Sequence, residues 1–216
     1  MGLIRLLLSA PQLFLLLAVP LLYSVIAHEV AHGVCARAFG DETAKRAGRL
    51  TLNPLPHLDP VGLLMLFFVG FGWAKPVPVS YGNLRPLRPG IFCVALAGCA
   101  TNILIAVLAL LALEAHVVSH GSAAATVLLI VARINIILGA FNLIPIPPLD
   151  GSRILLSLLP PEGQRALLGL ERYGFLILIL LLASGLLDPV IQAMEHLILW
   201  LVGSLFAIVT QGMEAR

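Results

Sequence analysis

Residues 21–35 read Leu21-Leu22-Tyr23-Ser24-Val25-Ile26-Ala27-His28-Glu29-Val30-Ala31-His32-Gly33-Val34-Cys35, and their reading decides the fold. Two imidazoles and a carboxylate stand in an apolar run that reaches back to Leu13. On a helix, residues four apart share a face one turn apart, so His28 and His32 can reach a single metal ion. Glu29 follows the first histidine and sits beside that ion without binding it. There it can take a proton from metal-bound water. On a soluble helix such histidines are often merely solvated. Here the flanks leave no water to solvate them, and polar groups inside a span are costly enough to imply function. The pattern predicts a zinc-dependent hydrolytic centre buried in a bilayer, with one Zn2+ per chain.

The composition agrees with a membrane setting. Of 216 residues, 60% are hydrophobic and only 11% charged, and the mean hydropathy is +1.03. These values belong to a polytopic helical membrane protein. A net charge of +2, spread thinly, excludes a nucleic-acid partner. Cys35, Cys93 and Cys99 lie in apolar stretches without a C-x-x-C pair and read as small buried hydrophobes. Residues 1–20 are apolar, but the run continues into the metal motif, so no cleavable signal peptide is expected.

The expected fold class is an all-α polytopic membrane protein with about five transmembrane helices, a re-entrant segment and a short β-hairpin or edge strand. Pro11 opens the first span, over about residues 12–39, and Gly40 ends it. Residues 3–9 are too short to span. Residues 61–73 are apolar but also too short, and they read as the re-entrant element. Val77, Val79 and Tyr81 alternate with Pro78, Ser80 and Gly82 in the manner of an edge strand. Further apolar segments cover about 90–113, 123–146 and 173–210, with 185–189 breaking the last into a helical pair. The loops at 37–49, 75–88 and 153–172 hold nearly all the basic residues. With 61–73 re-entrant they fall on one face, which makes that face cytoplasmic and leaves the N-terminus outside. One integral membrane domain over 1–216 is expected, its catalytic core at about 12–155. No soluble sensor domain or repeat is read.

Two histidines do not complete a catalytic zinc site, which takes three protein ligands and keeps one position open. The best candidate for the third is Asp150, in Phe141-Asn142-Leu143-Ile144-Pro145-Ile146-Pro147-Pro148-Leu149-Asp150-Gly151. Its prolines prevent regular helix, and broken backbone at membrane depth is tolerated where it lines a cavity or is buried in protein. Leu-Asp-Gly is also a common turn sequence, so a plain turn stands as the alternative. With His-Glu-x-x-His present, the ligand reading leads.

At this point the chain resembles the site-2 protease family of intramembrane zinc metalloproteases, in its compact prokaryotic form without PDZ or CBS domains. The likeness rests on His28-Glu29-Val30-Ala31-His32 and on the run Asn142–Gly151. It extends through Gly40-Asp41, residues 48–62 and residues 72–78, so it spans roughly 6–155. It implies His28, His32 and Asp150 as zinc ligands, Glu29 as general base, and Asn142 as the residue that steadies the scissile carbonyl or its oxyanion. It further implies cleavage within or near transmembrane segments of membrane proteins, in a prokaryotic inner membrane, with the site toward the cytoplasm. The family usually carries Gly-Pro-x-x-Asn in the following helix, whereas this chain has Gly98-Cys99-Ala100-Thr101-Asn102.

Weaker candidates are His57 and Asp59, read as partners behind the metal ligands or as gating residues, with Asp59 also fit to cap a helix starting at Pro60. His116 and His120 share i, i+4 spacing but flank a loop and read as solvated. His196 reads as an interfacial or buried helix residue. A metal transporter or an inactive scaffold is the alternative function. Against a transporter, no polar path crosses the chain and no inverted repeat of the motif occurs.

Overall fold

The structure is a computed structural model that describes residues 3–68, 74–119 and 121–214. The chain divides into two compact units, Met1–Thr101 and Asn102–Arg216.

The first unit opens with α1 (Leu3–Ser9) and α2 (Pro11–Ala38). Pro11 stands in the first turn of α2, where its missing N–H costs nothing. After α2 the chain turns at Gly40, whose φ of +99° favours glycine. The Asp41 N–H closes that turn on the Ala36 carbonyl at 2.9 Å. A short α3 (Thr43–Arg46) follows, then α4 (Pro60–Phe68). Asp59 Oδ1 caps α4 by accepting from the Val61 and Gly62 N–H groups at 2.8 and 2.9 Å, as the Asp-Pro pair predicts. Phe14 stacks on Phe67 with ring centroids 5.9 Å apart, tying α4 to α2. The nine residues of α4 cover only about 13 Å and cannot cross a bilayer alone. The rest of the expected re-entrant element, residues 69–73, lies outside the described residues.

The expected edge strand does not form. Residues 74–80 are extended, but no β-strand occurs among the described residues. Pro76 and Pro78 lack an N–H, and the Val77 and Ser80 N–H groups are taken by side-chain carboxylates. Val79, Tyr81 and Leu84 instead face inward, onto Cys35, Ala36 and Phe39 of α2 and onto Ile91 and Val94. The last two belong to α5 (Leu87–Glu114), within which the two units meet in sequence.

In the second unit the distal part of α5 packs with α6 (Ala123–Asn142) and α10 (Asp188–Glu214) around Ala106, Ile136, Ala140 and Ile198. Ala106 and Ala140 are fully buried; small residues at a crossing let helix backbones approach closely. Asn102 Nδ2 donates to Asn135 Oδ1 at 2.7 Å, joining α5 to α6 through two buried amides. Ser122 caps α6 through its side chain. That helix stops at Asn142, short of the expected 146, because Pro145 disfavours helical backbone before it. Next come α7 (Asp150–Leu158), α8 (Pro161–Glu171) and α9 (Gly174–Ala183), with Arg153 paired to Glu171 between α7 and α8.

The span count also differs from the sequence reading. Among the described residues, α2, α5 and α6 are long and apolar enough to cross a membrane. The pair α8 and α9, bent by 72°, would make a fourth. The expected C-terminal pair takes the form of two helices of unequal length. The apolar helix α9 has only ten residues. α10 has 27 residues, and its start carries the polar residues Asp188, Gln192, Glu195 and His196.

Candidate metal centre

The helical register of α2 brings its two histidines together. Their Nε2 atoms lie 3.0 Å apart, with the rings edge to face and both side chains buried. Two nitrogens bound at about 2.0–2.1 Å to one tetrahedral zinc would stand about 3.3 Å apart, so the observed approach suits a shared ion. His32 Nδ1 lies 2.6 Å from the Val94 carbonyl of α5. Donation there makes Nε2 the ring's acceptor nitrogen, the usual second-partner arrangement of a ligating histidine.

A glycine on α5 faces these rings closely. A Cβ on Gly98 would stand 2.5 Å from His28 Cε1 and from His32 Nε2. No side chain larger than hydrogen fits there without moving a ring. Convergent imidazoles, a set tautomer and a glycine whose Cβ would strike both rings together fit zinc. Sequence reasoning reached Gly98 only as part of a motif, because a required absence of atoms leaves no polar signature.

Glu29 stands on the same helix and is half-buried. Its Oε2 accepts the Val77 N–H at 2.7 Å. The extended segment carrying Val77 docks where α2 has Gly33, at which an added Cβ would strike Leu50, Val77 and Ala44. A second carboxylate anchors the same segment further along. Asp41, fully buried, accepts from the Ser80 N–H (2.7 Å), Asn83 Nδ2 (2.9 Å) and both the N–H and hydroxyl of Thr43. Burial pushes the Asp41 carboxyl up, but the bonds from Thr43, Asn83 and Ser80 outweigh it and hold the group below the ordinary carboxylate range.

Asn142 and Asp150 lie in the second unit. Asn142 is the last residue of α6, and its Nδ2 donates to the Leu138 carbonyl at 3.0 Å. The chain then leaves helical geometry until Asp150, half-buried, which opens α7. Asp150 therefore begins a helix rather than a simple turn. Three features shape the connection. Buried Ile144 and Leu149 pack on Leu178 and Leu187; a Cβ on Gly174 would strike Pro147; and a Cβ on Gly151 would overlap the carbonyls of Leu143 and Ile144.

The weaker candidates separate. His57 is fully buried, with Nε2 2.9 Å from the Thr51 carbonyl, and Asp59 is a helix cap. His116 sits in the loop after α5 with φ +51°, while His120 lies outside the described residues. His196 is exposed on α10.

Comparison with known proteins gives a consistent result. Residues 115–181 match the model of peptidase family M50, a stretch that contains Asn142 and Asp150. The chain is similar to the Putative zinc metalloprotease YwhC of Bacillus subtilis, 38% identical over 201 residues, which cover 88% of this chain and 92% of that protein. It is also similar to the Putative zinc metalloprotease Rip2 of Mycolicibacterium smegmatis, 36% identical over 195 residues, 84% of this chain and 71% of that one. No solved structure matches it.

Proposed function

The chain belongs to peptidase family M50, the site-2 protease family, and we propose that it hydrolyses peptide bonds within or near transmembrane segments of other membrane proteins. It is a zinc metalloprotease with the helices of a multi-pass membrane protein. The observation that carries the intramembrane reading is the convergence of His28 and His32 on a helix long and apolar enough to span, against Gly98 of α5.

We assign the third ligand to Asp150, since a catalytic zinc takes three protein ligands and a carboxylate suits the set. The whole chain acts in this reading as one catalytic domain, its core at about 12–155. Bound zinc supplies Lewis acidity and lowers the pKa of water to near 7. Glu29 is the general base: it takes the proton from the attacking water and returns it to the leaving amine nitrogen. With Oε2 held by Val77, Oε1 handles the proton. An amide carries two N–H donors. Asn142 spends one on Leu138 and offers the other to the substrate oxygen as it gains charge, a contact worth a few kcal/mol. The basic loops at 37–49, 75–88 and 153–172 put the site toward the cytoplasmic face of a prokaryotic plasma membrane.

Glu29→Gln tests the assignment. Hydrolysis should fall by about 10²–10⁴-fold, the usual contribution of a general base, while zinc content stays at that of the wild type. Activity within a few-fold of wild type would remove Glu29 from the mechanism. Loss of zinc with the substitution would instead make it a metal-site residue.

A further inference from the structure

Residues 75–77 form a strap whose main chain is gripped by Arg49, Glu29 and the His57 carbonyl. Arg49 Nη2 donates to the Lys75 carbonyl at 2.5 Å and to the Pro76 carbonyl at 3.2 Å. The Lys75 N–H donates to the His57 carbonyl at 2.8 Å. The next N–H along the chain, that of Val77, holds Glu29 Oε2. Arg49 is only 6% exposed and His57 is fully buried. Each keeps one buried nitrogen, Nε and Nδ1 respectively, without a partner.

Such burial is costly, because a guanidinium gives up its water and recovers only part of its hydrogen bonding. What it secures here is local: two successive carbonyls immediately before the N–H that engages Glu29. Proline at 76 and 78 removes the N–H groups that might otherwise have tied the strap to a neighbouring strand. From Lys75 to Val77, among the described residues, the main-chain hydrogen bonds therefore go to Arg49, to the His57 carbonyl and to Glu29 itself, while the Val77 side chain packs at Gly33.

We propose that Arg49 is a positioning residue for the hydrolytic reaction, clamping Lys75 and Pro76 so that the Val77 N–H orients the Glu29 carboxylate. This rests on the reading of Glu29 as general base. The histidines should not depend on Arg49, because they are set by the register of α2 and by the Val94 carbonyl. Release of the clamp should misorient the base without emptying the metal site. Misplacement of a reacting group by about 1 Å can cost about 100-fold in rate.

The test uses the zinc-loaded protein in detergent, labelled with ¹⁵N-valine, as wild type, Arg49→Met and Arg49→Lys. It reads exchange of the Val77 amide, zinc content, and kcat and KM on fluorescein-labelled casein. Arg49→Met should speed Val77 exchange at least about tenfold and lower kcat by about 10–100-fold. KM should stay within about twofold and zinc at the wild-type level, with Arg49→Lys recovering part of both losses. Unchanged Val77 exchange, unchanged kcat, loss of zinc, or a rise in KM alone would each overturn the proposal. Glu29→Gln beside them separates the two readings. If it still cleaves casein, the general-base reading falls. If it is inactive while Arg49→Met matches wild type, only the positioning role falls.

Discussion

On α2 the candidate ligands His28 and His32 are placed by helical register, whereas between Asn142 and Asp150 the chain has no register. In the first region, four residues of helix carry His28 to His32, and α5 supplies the Val94 carbonyl and presents no side chain at Gly98. In the second, prolines at 145, 147 and 148 stop the helix, and buried Ile144 and Leu149 anchor the crossing to Leu178 and Leu187. A regular element specifies geometry by spacing, so it is damaged most by an intruding atom. An irregular one specifies geometry by many weak contacts and by prohibited conformations, so it is damaged most by a backbone shift.

The contrast breaks most sharply at Gly98. Gly98→Ala puts a methyl 2.5 Å from ring atoms of both histidines, and the purified protein should contain almost no zinc and show no hydrolysis, by metal analysis and turnover. Wild-type zinc would mean that the rings yield and that α2 does not fix them. Gly151→Ala probes the other region through its backbone. Its methyl would collide with the Leu143 and Ile144 carbonyls, and the backbone there must move to accept it. Zinc affinity should weaken about 10–100-fold, the range seen when the support of a metal ligand is disturbed, as read by competition with a chelator.

The smallest effect is expected at Asp41, which braces the 74–80 segment from outside the metal site. Asp41→Asn should cost about 1–3 kcal/mol of stability with zinc content unchanged, read as a lower Tm. The pH dependence follows from the depressed carboxyl. Stability from such a group is complete above its unfolded pKa and disappears as pH falls through its lower folded pKa. The gap between wild type and variant should therefore be full above about pH 5 and close below about pH 4. A gap that widens in acid would contradict the assigned hydrogen bonds.

Much of this was legible from residues alone. The i, i+4 histidines were readable because helical period is a property of spacing, and the cap at Asp59-Pro60 because it needs only local chemistry. The end of α2 at Gly40 was equally local. Three features were not legible, each for a physical reason. The alternation of Val77, Val79 and Tyr81 imitates a strand, but a strand needs a partner, and the N–H groups of Val77 and Ser80 went to carboxylates. Arg49 looks like any basic loop residue that sets topology, and only its burial against Lys75 and Pro76 distinguishes it. The helix lengths within 173–210 were hidden because hydropathy averages across a ten-residue helix and the polar start of a 27-residue one.

The central claim is that these two dissimilar regions serve one metal. It is tested most directly by the zinc content of purified wild type beside Asp150→Ala, prepared in mild detergent without chelators. The account predicts about one zinc per chain in the wild type, as a three-ligand catalytic site requires, and a clear loss in a variant that remains helical. Equal zinc in both proteins would remove Asp150 from the metal and contradict the account.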